Sequence, residues 1–222
     1  MTRGYVLVTD DFITSFAEWL EDQANLKNKD INVYEVGAGN GELSGKLIEK
    51  LNEKEIKNVN IIATDNKDYE GSDYPKQEDH EYTDLVKDLG AVETIWHATK
   101  TVDYLIMGWP PLNGYDFNAL IAMMHKHING EIILIGGDDF SSKRNLASEE
   151  FYLHFKECEN QSFDGDVRAN YQVNELEDYP IIGKPYLERC KESGCRCKFT
   201  KSKFKQDYVD EVSAERLLDL MI

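Results

Sequence analysis

The stretch Glu35-Val36-Gly37-Ala38-Gly39-Asn40-Gly41-Glu42-Leu43 decides the fold of this chain. It continues an apolar run, 31–36, typical of a buried strand, and it leads into 42–54, where leucine and isoleucine recur at helical spacing. Three glycines at alternate positions allow positive φ angles and a close approach of the backbone to a bulky ligand. The helix that follows begins with unpaired N–H groups, which favour a carboxylate or phosphate. The stretch therefore predicts a strand, a ligand-binding turn and a helix.

The same alternation of strand and helix continues along the chain. The predicted strands cover 31–36, 59–64, 82–85, 102–107 and 131–135, and the predicted helices cover 10–29, 42–54, 89–99, 117–128 and 147–157. A loop or poor helix is expected at 67–78, and a last helix is indicated by Val209, Val212, Leu217, Leu218 and Met221. Most of the strands are nearly continuous apolar runs, as when both faces of a parallel sheet are covered. The predicted fold class is α/β, doubly wound, with helices on both faces of the sheet.

Composition excludes several functional classes. The 222 residues include 25 Lys and Arg against 42 Asp and Glu, a net charge of -17, which argues against non-specific nucleic-acid binding. No apolar run approaches the roughly 20 residues that span a bilayer, so no membrane partner is expected. The N-terminus lacks the features of a secretory signal, and the four cysteines are too few and too clustered for a disulfide scaffold. We therefore expect a cytoplasmic protein.

The pattern Glu35-x-Gly37-x-Gly39-x-Gly41-x-Leu43 closely resembles the first motif of the class I S-adenosylmethionine-dependent methyltransferases. The resemblance implies a Rossmann-like methyltransferase fold with a mostly parallel, seven-stranded sheet, and S-adenosyl-L-methionine as cofactor. It also implies that the backbone of 37–41, including Ala38, lies against the methionine part and the ribose. Glu35 would meet the amino group of the cofactor, directly or through water.

A dinucleotide such as NAD is the alternative ligand for this turn. The dinucleotide pattern is Gly-x-Gly-x-x-Gly, and counted from Gly37 its last position is Glu42. An acidic side chain at the start of the helix would repel a pyrophosphate, so NAD is disfavoured.

Acidic side chains near the next two strands are the candidates for the nucleoside. A carboxylate at the end of the second strand can accept hydrogen bonds from two ribose hydroxyls. Asp65 resembles the second motif of the family, which implies Asp65 on the ribose and Asn66 near the adenine. Asp84 is the candidate for the family's acid after the third strand, which contacts the adenine, with an ordinary helix cap as the alternative.

The turn Gly108-Trp109-Pro110-Pro111-Leu112 follows the predicted fourth strand, whose end two prolines enforce. In the family this location faces the transferable methyl group, and amino-methyltransferases carry Asn or Asp where this chain has Trp109. Because an indole only donates hydrogen bonds, methylation of a base or amide nitrogen is in doubt, and Trp109 could instead stack on a flat substrate or pack beside the sulfonium. The chain also resembles a less-characterised branch of the superfamily with Trp-Pro-Pro here and a glycine-rich end of the fifth strand, like Ile135-Gly136-Gly137-Asp138.

The candidate catalytic residues are those expected near the transferable methyl group, after the fourth and fifth strands. Trp109, Pro110 and Asp138 are predicted as catalytic, and Gly108 as part of the cofactor site. A general base is needed only if the acceptor carries a proton at neutral pH. Besides Asp138, the candidate bases are Asp139, His125 and His127. Solvated loop residues are the equal alternative for the two aspartates, and surface or internally hydrogen-bonded histidines are the favoured interpretation of His125 and His127.

The last third of the chain contains two further features. Cys190, Cys195 and Cys197, with Cys158 or His154, could bind zinc, although ordinary reduced cysteines are favoured and no metal is assigned. The segment 184–205 has eight basic side chains against two acidic ones. It could contact an acidic or phosphate-bearing partner, or it could simply be a solvated surface.

The sequence therefore predicts one methyltransferase domain over 1–222. It comprises an N-terminal helical segment, 1–30, a cofactor-binding core, 31–157, and C-terminal strands and a helix, 158–222. The methyl acceptor is unidentified and could be a small molecule, a protein or a nucleic acid. The rival function is that of a catalytically inactive Rossmann-like binding or regulatory protein that keeps the cofactor site.

Overall fold

The computed structural model describes residues 6, 8–66, 84–108, 110, 115–136, 147–171 and 180–186. All of them belong to one unit that spans 1–186. The predicted loop at 67–78 and the predicted C-terminal helix lie outside the described residues. The single domain over 1–222 therefore stays a prediction.

The described residues form seven strands and six helices. The strands are β1 (Ile31–Val36), β2 (Val59–Asp65), β3 (Val86–Asp88), β4 (Tyr104–Gly108), β5 (Glu131–Ile135), β6 (Phe155–Glu157) and β7 (Ile181–Pro185). The helices are α1 (Asp10–Lys27), α2 (Glu42–Glu53), α3 (Ala91–His97), α4 (Tyr115–Lys126), α5 (Glu149–Leu153) and the π-helical α6 (Phe163–Arg168). Thr9 caps α1, since its hydroxyl oxygen accepts a hydrogen bond from the backbone N–H of Phe12.

One sheet contains all seven strands, in the order β3-β2-β1-β4-β5-β7-β6. The strands β1 to β5 are parallel, and β7 runs antiparallel to both β5 and β6. The chain moves outward from β1 to β2 and β3, and then returns to place β4 on the other side of β1. The strand order therefore reverses between β1 and β4, and ligands bind at the carboxyl ends of the strands at such a point.

Helices cover both faces of the sheet. On one face, Ile31 and Val33 of β1 pack in a buried cluster with Phe12 and Phe16 of α1 and Leu47 of α2. The helix α6 contacts α1 and joins this layer, whereas α4 contacts α3 and α5. The predicted α/β, doubly wound fold with a mostly parallel sheet is confirmed.

Two predicted elements are wrong. The helix expected at 147–157 ends at Leu153, because the backbone of 155–157 pairs with β7 as the edge strand β6. The third strand begins at Val86 rather than at 82, and Asp84 and Leu85 form a turn before it. In both places a short apolar pattern is compatible with helix, turn or strand, and a partner strand distant in sequence decides between them.

The pairing of β6 with β7 depends on Gly183. A Cβ at this position would meet the ring of Phe155 and would lie 2.5 Å from the carbonyl oxygen of Lys156. We expect Gly183→Ala to separate the two strands and to lower the free energy of unfolding by about 2 kcal/mol in urea denaturation. Gly165→Ala is the matched control, because no described atom lies within 4 Å of the Cβ it would add. Equal losses in the two variants would contradict this account.

Candidate functional site

The turn after β1 takes a backbone path that requires glycine. Gly37, Gly39 and Gly41 have φ angles of 65°, 56° and 81°, in the left-handed region where a side chain is strained. The N–H of Gly41 donates to the carbonyl oxygen of Ala38 (2.9 Å), and the N–H of Ala38 donates to the carbonyl oxygen of Thr64 in β2 (3.0 Å). The alternate spacing of the glycines is therefore a property of the turn itself.

Asp65, the last residue of β2, is attached to this turn. Its carboxylate is buried, and Oδ2 accepts a hydrogen bond from the backbone N–H of Gly39 (2.8 Å). A carboxylate can accept several hydrogen bonds at once, so this bond is compatible with further bonds to ligand hydroxyls. Asn66 comes directly after it and is exposed. The structure thus brings the predicted ribose-binding carboxylate and the glycine turn together.

Glu35 is buried beneath the turn and faces α2. The hydroxyl of Ser44 donates to Oε2 at 2.5 Å. Burial raises the pKa of the Glu35 carboxyl to about 7, although hydrogen bonds from the side chain and backbone of Ser44 lower it. The negative charge of Asp65 raises this pKa further. The carboxyl group therefore changes charge close to neutral pH.

Tyr115, the first residue of α4, also reaches the turn and was missed at the level of sequence. Its phenolic oxygen lies 3.1 Å from the point where a Cβ on Gly37 would be. Burial raises the pKa of this phenol well above its usual value, and the charges of Asp65 and Glu35 act in the same direction. Tyr115 belongs to no motif. The available signal was its place at the start of the helix that follows the fourth strand.

The carboxyl end of β4 is adjacent to the turn. Gly108 ends the strand, and a Cβ there would lie 2.6 Å from a methyl group of Val6, so Val6 lies against the end of β4. Pro110 is buried. Trp109 and Asp138 lie outside the described residues, so their catalytic roles stay predictions.

The structure corrects the placement of Asp84. This residue precedes β3 and is exposed, so it is not the acid that follows the third strand. In the parallel register of β2 and β3, Asp65 is level with Asp88. Asp88 is therefore the carboxylate at the carboxyl end of β3, and a contact between Asp84 and the adenine stays untested.

The two histidines of the α4 region do not lie at the site. His127 is buried, its Nδ1 accepts the N–H of Val102 (3.3 Å), and its Nε2 is 3.1 Å from the carbonyl oxygen of Ile95. Burial lowers the pKa of this imidazole, which keeps it neutral. Val102 lies just before β4, at the amino ends of the strands, whereas the site is at their carboxyl ends. His125 is in the last turn of α4. His127 is thus the internally hydrogen-bonded histidine of the favoured interpretation, and a base role for His125 is not tested.

The cysteine cluster and the basic segment in the last third of the chain lie mostly outside the described residues. Among those that are described, no group of three or more His, Cys, Asp or Glu side chains could hold a metal. Cys158 is a free thiol. Cys190, Cys195 and Cys197 are not described, nor is 187–205, so the zinc alternative and an acidic partner are both untested. Within the described ranges, no helix is both long enough and apolar enough to span a bilayer.

Comparison with known proteins gives matches to solved structures and to nothing else. No family model matches the sequence, and no curated protein matches it. The O-methyltransferase NovP is 13% identical over 79% of this chain and 80% of that chain, with a TM-score of 0.43. The Burkholderia thailandensis 1,6-didemethyltoxoflavin-N1-methyltransferase is 12% identical over 80% of each chain (TM-score 0.40). A Streptococcus thermophilus rRNA methylase is 12% identical over 82% of this chain and 99% of that chain (TM-score 0.35).

With TM-scores below 0.5, these likenesses carry no argument about the chain. The strand order with its reversal between β1 and β4, and the antiparallel β7, are observed directly. They constitute the Rossmann-like methyltransferase fold that the resemblance of the glycine-rich stretch implies.

The pKa of Glu35 makes the stability of the protein depend on pH. Between about 4.5, the ordinary value, and about 7, the folded protein keeps a proton that the unfolded chain releases, so stability is lost as the pH rises through this window. Glu35→Gln removes this effect. We expect urea denaturation to show the variant gaining about 3 kcal/mol relative to the wild type between pH 4.5 and pH 8.

The control for this comparison is Glu49→Gln, which removes an exposed carboxylate on α2 paired with Lys46. Its stability difference from the wild type should stay nearly constant with pH. A difference for Glu35→Gln that also stays constant would show that the carboxyl group titrates normally.

Proposed function

We propose that the protein is an S-adenosylmethionine-dependent methyltransferase that binds its cofactor at the carboxyl ends of β1 and β2. The supporting observation is the left-handed glycine turn at the point where the strand order reverses, joined to Asp65 by the N–H of Gly39. The methyl acceptor would lie beyond the end of β4.

The residues at the turn fit this cofactor. Gly37 lies at the carboxyl end of β1 and is exposed, so its backbone is accessible to a ligand beside the hydroxyl of Tyr115. Asp65 would accept hydrogen bonds from the two ribose hydroxyls, and the carboxylate of Glu35 would meet the amino group. Three chemically different parts of one molecule thus find complementary groups on the chain.

The chain's own contribution to the reaction would be alignment and the exclusion of water. When bound, S-adenosylmethionine supplies a methyl group that its sulfonium activates for displacement. The buried Pro110 and the half-buried Gly108 would form one side of the acceptor site, and Trp109 would cover the flat face of the acceptor. Where the attacking atom carries a proton at neutral pH, Asp138 would receive that proton.

The second candidate is a binding or regulatory protein that keeps the cofactor but transfers no methyl group. The observation that favours it is Trp109, whose indole cannot accept a hydrogen bond from an attacking amine as Asn or Asp would. This protein would bind the cofactor through the same residues. The two functions therefore differ in turnover and agree in binding.

Calorimetry tests the cofactor. We expect the wild type to bind S-adenosylmethionine and S-adenosylhomocysteine but not NAD, and Asp65→Ala to weaken nucleoside binding by roughly 100-fold, because two charge-assisted hydrogen bonds are lost. Asp30→Ala is the control, since Asp30 is exposed and precedes β1, at the end of the strand that is far from the turn. Wild-type protein that binds neither nucleoside would refute both candidate functions.

Transfer of a labelled methyl group from the cofactor to components of a cell extract then separates the enzyme from the binding protein. Transfer by the wild type that Asp65→Ala abolishes is the expected result. Binding without transfer in any extract would favour the inactive protein.

The ionisation of Glu35 should appear in the pH dependence of binding. Because an ionised carboxylate attracts the amino group and a neutral carboxyl does not, the affinity for S-adenosylhomocysteine should rise up to tenfold per pH unit from 5.5 and level off near 7. The nucleoside 5′-methylthioadenosine lacks the aliphatic ammonium of the amino-acid end, so its affinity should not change along this curve. Glu35→Gln should flatten the dependence for S-adenosylhomocysteine. A steep dependence that survives in this variant would remove Glu35 from the amino-group site.

A further inference from the structure

The side chain of Tyr115, at the start of α4, reaches the glycine turn. Its ring approaches Gly37 with the hydroxyl first, since the phenolic oxygen is nearer to the missing Cβ (3.1 Å) than the two closest ring carbons are (3.6 and 3.7 Å). Gly37 itself is exposed. A ligand that lies along the turn at Gly37 would therefore meet the hydroxyl of Tyr115 rather than the face of its ring.

Three of the other described side chains near the turn suit parts of the proposed cofactor other than its carboxylate. Glu35 and Asp65 are both acids, and Ser44 donates its hydroxyl to Glu35. These groups suit an ammonium and two hydroxyls. The carboxylate of the cofactor's amino-acid end needs hydrogen-bond donors instead, and two anions nearby would repel it.

Tyr115 provides a donor of the right charge. Its phenol keeps its proton throughout the physiological range, because burial and the two neighbouring carboxylates raise its pKa. A neutral hydroxyl can donate to a carboxylate without adding negative charge to the site.

We propose that the hydroxyl of Tyr115, held against Gly37, donates a hydrogen bond to the carboxylate at the amino-acid end of the bound nucleoside. This assignment rests on the proposed function and makes Tyr115 a binding residue for the part of the cofactor that does not react. Two different side chains would then bind the amino-acid end: the acid Glu35 would bind the ammonium, and the neutral hydroxyl of Tyr115 would bind the carboxylate.

The test compares Tyr115→Phe with the wild type in calorimetric titrations with three probes. S-adenosylhomocysteine carries both charged groups, its decarboxylated analogue keeps only the ammonium, and 5′-methylthioadenosine has neither. We expect Tyr115→Phe to bind S-adenosylhomocysteine roughly 10- to 100-fold more weakly, as for a lost hydrogen bond to a charged group, and to bind the other two probes as the wild type does. The control is Tyr186→Phe, because Tyr186 is exposed and comes directly after β7.

Each other outcome overturns a stated part of this account. Equal binding of S-adenosylhomocysteine by Tyr115→Phe and the wild type would remove the hydroxyl from the site and leave the proposed function intact. Weaker binding of all three probes would show that Tyr115 supports the turn and does not read the amino-acid end. Weaker binding of the decarboxylated analogue, with 5′-methylthioadenosine unchanged, would assign the hydroxyl to the ammonium. Wild-type protein that binds none of the probes would refute the proposed function itself.

Discussion

The hydrogen bond from the N–H of Gly39 to the carboxylate of Asp65 is the constraint on which the site depends. It joins the turn after β1 to the end of β2, and it forms only because Gly39 takes a positive φ that turns its N–H toward the neighbouring strand. The N–H of Ala38 donates to Thr64 beside it, so the turn continues the pairing of the two strands beyond the last residue of β1. The position of the carboxylate is thus set by the sheet and is independent of any ligand.

Burial gives the polar groups around this bond their chemical character. Glu35 and Tyr115 both lie where the charged form of the side chain is disfavoured, so each holds its proton to a higher pH than it would in water. The consequence differs between the two groups. The carboxyl group of Glu35 can change charge near neutral pH, whereas the phenol of Tyr115 stays a neutral donor. A ligand with charges of both signs can therefore be matched by a chain whose described side chains at the turn include no cation.

Local sequence patterns predicted the central strands of the sheet well and the strands near its two edges poorly. The strands 31–36 and 131–135 were predicted to the residue, because both are buried and the chain leaves the sheet at the glycine that follows each of them. The helix expected at 147–157 stopped early, since β7 draws 155–157 into the sheet from nearly thirty residues away. Asp84 was assigned to the wrong side of the third strand for a similar reason, because the register with β2 decides where that strand begins.

The sequence by itself determined the glycine turn, the acid beneath it and the carboxylate at the end of the second strand. Each of these depends on backbone geometry or strand position within a few residues, which the order of residue types specifies directly. Only the tertiary structure decided that Tyr115 contacts Gly37 and that Val6 packs on Gly108. It also decided that His127 lies at the amino end of β4, away from the site. These contacts join residues from 25 to about 100 positions apart. They depend on how each helix packs on the sheet, which is determined by the packing of the whole core and not by the local sequence.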